Sequence, residues 1–308
     1  MKVFETVFVS SDGRIRAGWR LLIQIVLSLI FLIPLSLLAS QVGGRNLQIV
    51  AGGIAITLGV WVSGWMVDKR PIRDFGLRIT AGWWKECGIG FLMATLVMSV
   101  MVLILWMAGW IEFAGYGWER NSARGFMAVF GGYLITMAVV GFYEELWSRG
   151  YQLKNLTEGF FTGYNRNSAG IIAIGISSLV FGVLHMSNPN ATMFGMVTIV
   201  LAGIMLAIPY VVTGQLGYSV GIHFGWNFIQ GGVYGLPVSG IPFRQSLLQA
   251  QVTGPDLWTG GRFGPEGGII GIIGVVLLVV VIVLWLRHQG HTLSVSPNIT
   301  HPPDSGRY

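Results

Sequence analysis

A small group of ionisable and polar residues lies within apolar stretches that are long enough to form membrane helices. The group comprises Glu144, Glu145, His185, His223 and Asn227. Ionisable groups inside a bilayer are costly, so each of them suggests a functional role. A carboxylate can take a proton from water, while imidazole and amide groups can stabilise negative charge that develops on a carbonyl oxygen. These five side chains are therefore the candidates for acid–base chemistry within the membrane.

Spacing along the helices separates supporting roles from chemical ones. Glu145 and Arg149 are four residues apart, in the order that favours an ion pair within a helix, so this pair is predicted to be structural. Glu144 has no such partner and is the better candidate for a general base. His223 and Asn227 are also four residues apart and share one helix face. Each observation also has a simpler interpretation. The two glutamates could lie at a hydrated helix end, and His223 and Asn227 could form hydrogen bonds from their helix to neighbouring helices.

Composition places these residues in a membrane protein. The chain has 308 residues, of which 53% are hydrophobic and only 10% are charged. Soluble domains carry about 25% charged residues, so the composition excludes a soluble globular enzyme, and it also excludes a disordered chain. The formal net charge of +6 is attributed to membrane orientation rather than to nucleic-acid binding. The single cysteine, Cys87, excludes an intramolecular disulfide and a thiolate metal cluster.

Apolar runs of membrane length predict an all-α polytopic membrane protein, a bundle of about eight transmembrane helices around a polar cavity. A spanning helix needs about 20 mostly apolar residues. A cytoplasmic segment, 1–20, precedes the membrane domain, 21–287, and a polar tail, 288–308, is predicted to be disordered. The eight predicted spans are 21–40, 47–67, 88–110, 125–146, 169–186, 192–212, 218–236 and 268–286.

The distribution of lysine and arginine predicts the orientation. With the N-terminus in the cytoplasm, the cytoplasmic segments hold 14 of these residues and the outer segments hold 5. This excess predicts a protein of the cell membrane with both termini in the cytoplasm. One long outer connection, 237–267, carries Arg244, Asp256, Arg262 and Glu266. It is interpreted either as an ordinary outer loop or as a cap over a cavity.

The depth of the candidate residues constrains the fourth helix. If this helix ended at Leu146, Glu144 would lie at the cytoplasmic surface, far from His185. If it continues to about Lys154, Glu144 lies ten residues inside that end, or about 15 Å at 1.5 Å per residue. That depth is near the middle of a hydrocarbon core of about 30 Å. We therefore expect one long fourth helix and a water-filled site inside the bundle.

Three short motifs follow one another along the chain: Glu144-Glu145-x-x-x-Arg149, Phe181-x-x-x-His185 and His223-x-x-x-Asn227. In this order, they resemble the motifs of a known family of membrane proteases. The family is the CPBP family, the CAAX proteases and bacteriocin-processing intramembrane endopeptidases, also described as Rce1-like or Abi proteins. The resemblance covers residues 125–236, and the segments 12–19 and 260–267 resemble its bacterial branch. Each motif alone is short and common, whereas all three in order on membrane helices are fairly specific.

The resemblance implies an enzyme that hydrolyses a peptide bond within or near the bilayer. Its substrate would be a membrane-associated protein or peptide of the prenylated, CAAX-like type. By the same resemblance, Glu144 is the general base, and His185 helps to orient and activate the water. His223 and Asn227 stabilise the oxyanion, while Glu145 and the arginine that follows it support the site.

The resemblance leaves the metal question open, because the family is often described as metalloproteases. If a metal is present, Glu144, His185 and His223 are the candidate ligands, and they would leave one position of a Zn²⁺ ion for water. These residues come from three separate helices, without a His-Glu-x-x-His element. The cofactor is therefore either none or Zn²⁺, with metal-free catalysis slightly favoured.

Two functions of other classes remain as alternatives. In a proton-coupled transporter, Glu144 and the histidines would relay protons. Such carriers are often built from two related halves, whereas here the polar residues all lie in the second half. The other alternative is a non-catalytic immunity or scaffold protein that retains the motifs.

Overall fold

The structure, a computed structural model, describes residues 7–10, 13–120, 123–243 and 246–301. Nearly all of the regular structure is helical, and this confirms the all-α polytopic membrane fold. Within these residues, seven helices are long and apolar enough to cross a membrane. The longer helices are α1 (Ala17–Val42), α2 (Arg45–Ser63), α3 (Ala81–Met107), α4 (Ala123–Glu145), α5 (Lys154–Phe161), α6 (Arg166–Leu184), α7 (Met193–Thr213), α8 (Gly217–Asn227) and α10 (Ile269–His288).

The fourth membrane helix is continuous, as the depth argument predicts. α4 leads without a break into a π-helical segment, Leu146–Leu153, and then into α5. Together they make a span of 38 residues, Arg124–Phe161. A π-helical turn inside an α-helix is rare and is frequently found at functional sites. Here it begins directly after Glu145, so both glutamates lie well inside the helix.

The seventh predicted span, 218–236, is shorter than expected and lies inside the bundle. It consists of α8, with 11 residues, followed by a π-helical turn of 6 residues, Phe228–Val233. It is not among the seven helices long enough to cross a membrane. Almost every residue from 217 to 233 is buried by protein. An apolar composition suits either a lipid-facing or a protein-facing helix, so composition alone did not distinguish them.

Glycines hold α8 against α3 at very short range. Gly217, Gly221 and Gly225 recur every four residues and so form one stripe along α8. A β-carbon at Gly225 would lie 2.8 Å from the backbone oxygen of Phe91, and one at Gly221 would overlap the backbone carbonyl of Cys87. Small residues let helix backbones approach closely in membranes. This contact fixes the rotation of α8 and turns its other face toward the centre of the bundle.

The long connection between α8 and α10 is folded. Its strand β2 (Leu248–Val252) pairs antiparallel with β1 (Ile111–Tyr116), and the short helix α9 (Asp256–Thr259) follows. Two 3₁₀ turns then lead to α10. Arg244 lies outside the described residues.

The tail differs from the disordered segment that the sequence predicts. Up to His301 it packs on the protein, and it includes the short helix α11 (Pro297–Thr300). Val295 and Ile299 are buried, and the Lys154 Nζ atom donates to the backbone oxygen of Asn298 over 2.6 Å. A buried ammonium needs acceptors, and the carbonyl groups of the tail provide them. The rest of the tail, 302–308, lies outside the described residues.

The close contact between α8 and α3 is open to a matched test. In Gly221→Ala, the new methyl group overlaps the backbone of α3, and we expect a loss of about 1–3 kcal/mol in unfolding free energy. At Gly88, on α3, a β-carbon would meet nothing within 4 Å. Gly88→Ala should therefore be neutral or stabilising by up to about 1 kcal/mol. Thermal unfolding in detergent compares the two variants, and equal midpoints would contradict the packing described.

Candidate active site

A cavity of about 730 Å³ lies inside the bundle, and four of the predicted site residues line it. Glu144 comes from α4, His185 from the end of α6, and His223 and Asn227 from α8. The two predicted supporting residues, Glu145 and Arg149, are fully buried behind the cavity wall. The remainder of the lining is mostly apolar. The structure thus brings together all the residues that the three motifs contribute.

Glu145 joins α4 and α8, two of the three helices that carry the candidate residues. Its Oε1 atom accepts from Arg149 Nη1 over 2.8 Å and from His223 Nδ1 over 2.8 Å. Arg149 also donates to the Gly203 backbone oxygen over 3.1 Å, and its guanidinium lies 4.4 Å from the centre of the Phe181 ring. Because an ionised carboxylate only accepts hydrogen bonds, Nδ1 of His223 carries a proton. The Nε2 atom is thereby left to face the cavity.

Glu144 presents a free oxygen to this imidazole. Its Oε1 atom accepts from the Tyr143 hydroxyl over 3.2 Å. Its Oε2 atom lies 3.7 Å from His223 Nε2 and has no hydrogen-bond partner among the described residues. The side chain is 19% exposed. The Oε2 atom itself is buried. A general base needs an acceptor that is free of other partners, and its contacts are often long before substrate binds.

His185 is oriented by the backbone of its own helix. It begins the 3₁₀ turn that ends α6, and its Nδ1 atom lies 2.7 Å from the backbone oxygen of Phe181. Because a carbonyl can only accept, Nδ1 is the protonated nitrogen. The Nε2 atom of the neutral ring is then an acceptor. This half-buried ring is thus suited to accept a hydrogen bond from a water molecule.

The backbone of Asn227 is held by Tyr133, which is not among the residues that the sequence predicts for the site. The hydroxyl of Tyr133 donates to the backbone oxygen of Asn227 over 3.0 Å, and both residues line the cavity. Tyr133 precedes Glu144 by 11 residues, or about three helical turns, so the two share a face of α4. That spacing is a signal that could have identified it. Glu266 and Trp226 also line the cavity and were not among the predicted site residues.

The candidate metal ligands do not form a metal site in the described part of the chain. No group of three or more His, Cys, Asp or Glu side chains there is placed to hold a metal ion. As they lie in this structure, Glu144, His185 and His223 are not arranged as the three ligands of a Zn²⁺ ion.

The ion pair behind the cavity predicts how the site responds to substitution. Arg149→Met leaves the Glu145 carboxylate buried without its arginine, and we expect a loss of about 3–5 kcal/mol in unfolding free energy. In the double variant, Arg149→Met with Glu145→Gln, the unpaired buried charge is absent, and much of that loss should be recovered. Arg124→Met, at an exposed arginine of α4, is the control. Thermal unfolding in detergent measures all three, and a double variant no more stable than the single one would contradict the pairing.

Comparison with known families identifies the segment that holds the site. Residues 126–229 match the family model described as type II CAAX prenyl endopeptidase Rce1-like. This match covers about a third of the chain and includes every residue of the three motifs. Comparisons with curated proteins and with solved structures found no match. Residues 126–229 of this multi-pass membrane protein are thus similar to the Rce1-like family of CAAX proteases.

Proposed function

We propose that the protein is an intramembrane endopeptidase in which Glu144 activates water to hydrolyse a peptide bond. The observation that carries the proposal is the free Oε2 atom of Glu144, which lies 3.7 Å from His223 Nε2 beside the cavity. A second helix end brings His185 to the same cavity. A base, a water-orienting group and donors for an oxyanion thus surround one space.

The charges around His223 favour its protonated form. Glu144 and Glu145 both approach the ring, and Arg149 supplies one positive charge. Buried charge is costly unless it is neutralised. A protonated His223 makes the sum of the four charges zero, so its Nε2 atom becomes a donor that faces the cavity.

The reaction follows from these positions. Glu144 takes a proton from water, whose oxygen attacks the carbonyl carbon of the scissile peptide bond, while His185 orients the water. His223 Nε2 and the Asn227 amide donate to the oxyanion that forms. Collapse of this intermediate breaks the C–N bond, and the departing amine takes up a proton.

The proposed substrate is a membrane-associated protein or peptide, with a prenylated CAAX-like C-terminus as the specific candidate. The name of the matched family supports this class. The apolar walls of the cavity suit a substrate that enters from the membrane. They include Ile49, Val129, Met137, Val140, Ile199 and Ala202.

We further propose that the cavity faces the outer side of the cell membrane, with both termini in the cytoplasm. Arg45 and Asn46 line the cavity and begin α2, at the far end of the α1–α2 hairpin from the N-terminal segment. The excess of Lys and Arg in the predicted cytoplasmic segments supports this orientation. A topology reporter fused after Tyr308 should be active only in the cytoplasm. Activity only outside would overturn the orientation.

Alanine substitutions test the catalytic assignment. Glu144→Ala, His185→Ala and His223→Ala should each abolish cleavage, because each removes a group that acts on water or on the oxyanion. Asn227→Ala removes one oxyanion donor and should lower kcat by about 10²–10³. The assay uses protein in liposomes and a peptide ending in S-farnesylcysteine followed by three residues, with products identified by mass spectrometry.

Exposed residues away from the cavity provide matched controls. Glu112→Ala on β1 and His288→Ala at the end of α10 should leave cleavage unchanged, since both side chains are exposed. Full activity of Glu144→Ala would show that the assignment is wrong. Comparing membrane proteomes of wild-type and Glu144→Ala cells should also reveal a precursor that accumulates in the variant.

A further inference from the structure

A third carboxyl group lines the cavity, outside the segment that matches the family. Glu266 lies in the 3₁₀ turn Pro265–Gly267, directly before α10. It is 7% exposed and borders the same cavity as Glu144 and His223. The reaction described above leaves this side chain without a role.

Glu266 is surrounded by neutral donors. Its Oε1 atom accepts from Trp226 Nε1 over 3.3 Å, and its Oε2 atom accepts from the Ser239 backbone N–H over 2.7 Å. The Ser239 hydroxyl lies 3.5 Å from the same oxygen. Among the described residues, no lysine or arginine forms an ion pair with Glu266. The Oε1 atom accepts from Trp226, which leaves one of its lone pairs for a proton.

Burial without a cationic partner favours the neutral acid. It raises the pKa of Glu266 to about 7, although the hydrogen bonds from Ser239, Gln230 and Trp226 act in the opposite direction. The titratable groups that face it are Tyr133 from α4 and His223 from α8. The other helices packed against its turn add none, because Met193–Thr213 contains no Asp, Glu, His, Lys or Arg and α10 contains none before Arg287. Asp256 and Arg262, in the same connection, are exposed.

We propose that Glu266 is the general acid of the peptidase and gives its proton to the nitrogen of the departing amine. This inference rests on the proposed function. Glu144 takes a proton from water as the C–O bond forms, and Glu266 gives one up as the C–N bond breaks. The products are a carboxylic acid and an amine. Proton transfer through solvent, from Glu144 to Glu266, restores the resting state.

The surroundings of the two glutamates fit opposite roles. Glu144 has a free oxygen that lies 3.7 Å from the Nε2 atom of His223, as a base beside a donor would. Glu266 has a drier environment with neutral donors, so its protonated form is stabilised. Enzymes that use two carboxyl groups separate acid from base by such differences in environment. Trp226, which bonds Glu266, lies on the same helix as His223 and Asn227, and the Glu266 side chain lines the same cavity as these donors.

The test compares two substrates that differ in their leaving groups. One is the farnesylated peptide, whose amine must be protonated as it leaves, and the other is the p-nitrophenyl ester of N-acyl-S-farnesylcysteine, whose phenolate leaves without a proton. Glu266→Gln should lower kcat for the peptide by about 10²–10⁴ with little change in KM. Hydrolysis of the ester should remain close to the wild-type rate. Glu266→Asp should retain part of the peptide activity, and Glu112→Gln should change neither rate.

The pH dependence of the wild-type protein provides a second test that needs no variant. The acid must be protonated, so peptide cleavage should fall as the pH rises through about 7. Ester hydrolysis should lack this fall. A fall for both substrates, or for neither, would overturn the proposal.

The outcomes distinguish this inference from the proposed function. Suppose that Glu144→Ala is inactive on both substrates. Equal losses of activity on both substrates in Glu266→Gln would then show that Glu266 has a purely structural role, which would overturn this inference but not the proposed function. Full peptide cleavage by Glu144→Ala would instead overturn the proposed function itself.

Discussion

The buried carboxylate of Glu145 is the constraint on which the site depends. One of its oxygens accepts hydrogen bonds from both Arg149 and His223, each over 2.8 Å. The carboxylate is fully buried, where an uncompensated charge would be costly. The interaction therefore fixes α4 relative to α8 and sets which nitrogen of His223 faces the cavity. Glu144, the neighbouring residue, is positioned against that imidazole as a consequence.

Two backbone features make this arrangement possible. The glycine stripe of α8 lets it lie against α3 so closely that a β-carbon at Gly221 would overlap the Cys87 carbonyl. The π-helical segment after Glu145 continues the fourth helix through Arg149. Neither feature contributes chemistry. Both decide where the reactive side chains can be, which links the packing of the bundle to the proposed hydrolysis.

The sequence predicted the membrane fold, the long fourth helix and the residues that meet at the cavity. Regular helical spacing made the fold and the long fourth helix predictable, and the rarity of ionisable residues in apolar helices singled out side chains that line one cavity. It did not predict that α8 is buried, since apolar residues suit protein and lipid surroundings alike. It missed the packing of the tail, because the acceptors that Lys154 receives from Asn298 come from a distant part of the chain. Glu266 was missed because its burial depends on the folded connection before α10.

The proposed hydrolysis requires that His223 is held as a cation between Glu144 and Glu145, where it can stabilise an oxyanion. The most direct measurement is the ¹⁵N nuclear magnetic resonance spectrum of the His223 ring at neutral pH, in labelled protein in lipid bilayers, assigned with His223→Ala. Both ring nitrogens should carry protons in the wild-type protein, and Glu145→Gln should shift the ring toward its neutral form. A neutral His223 ring in the wild-type protein would contradict that requirement.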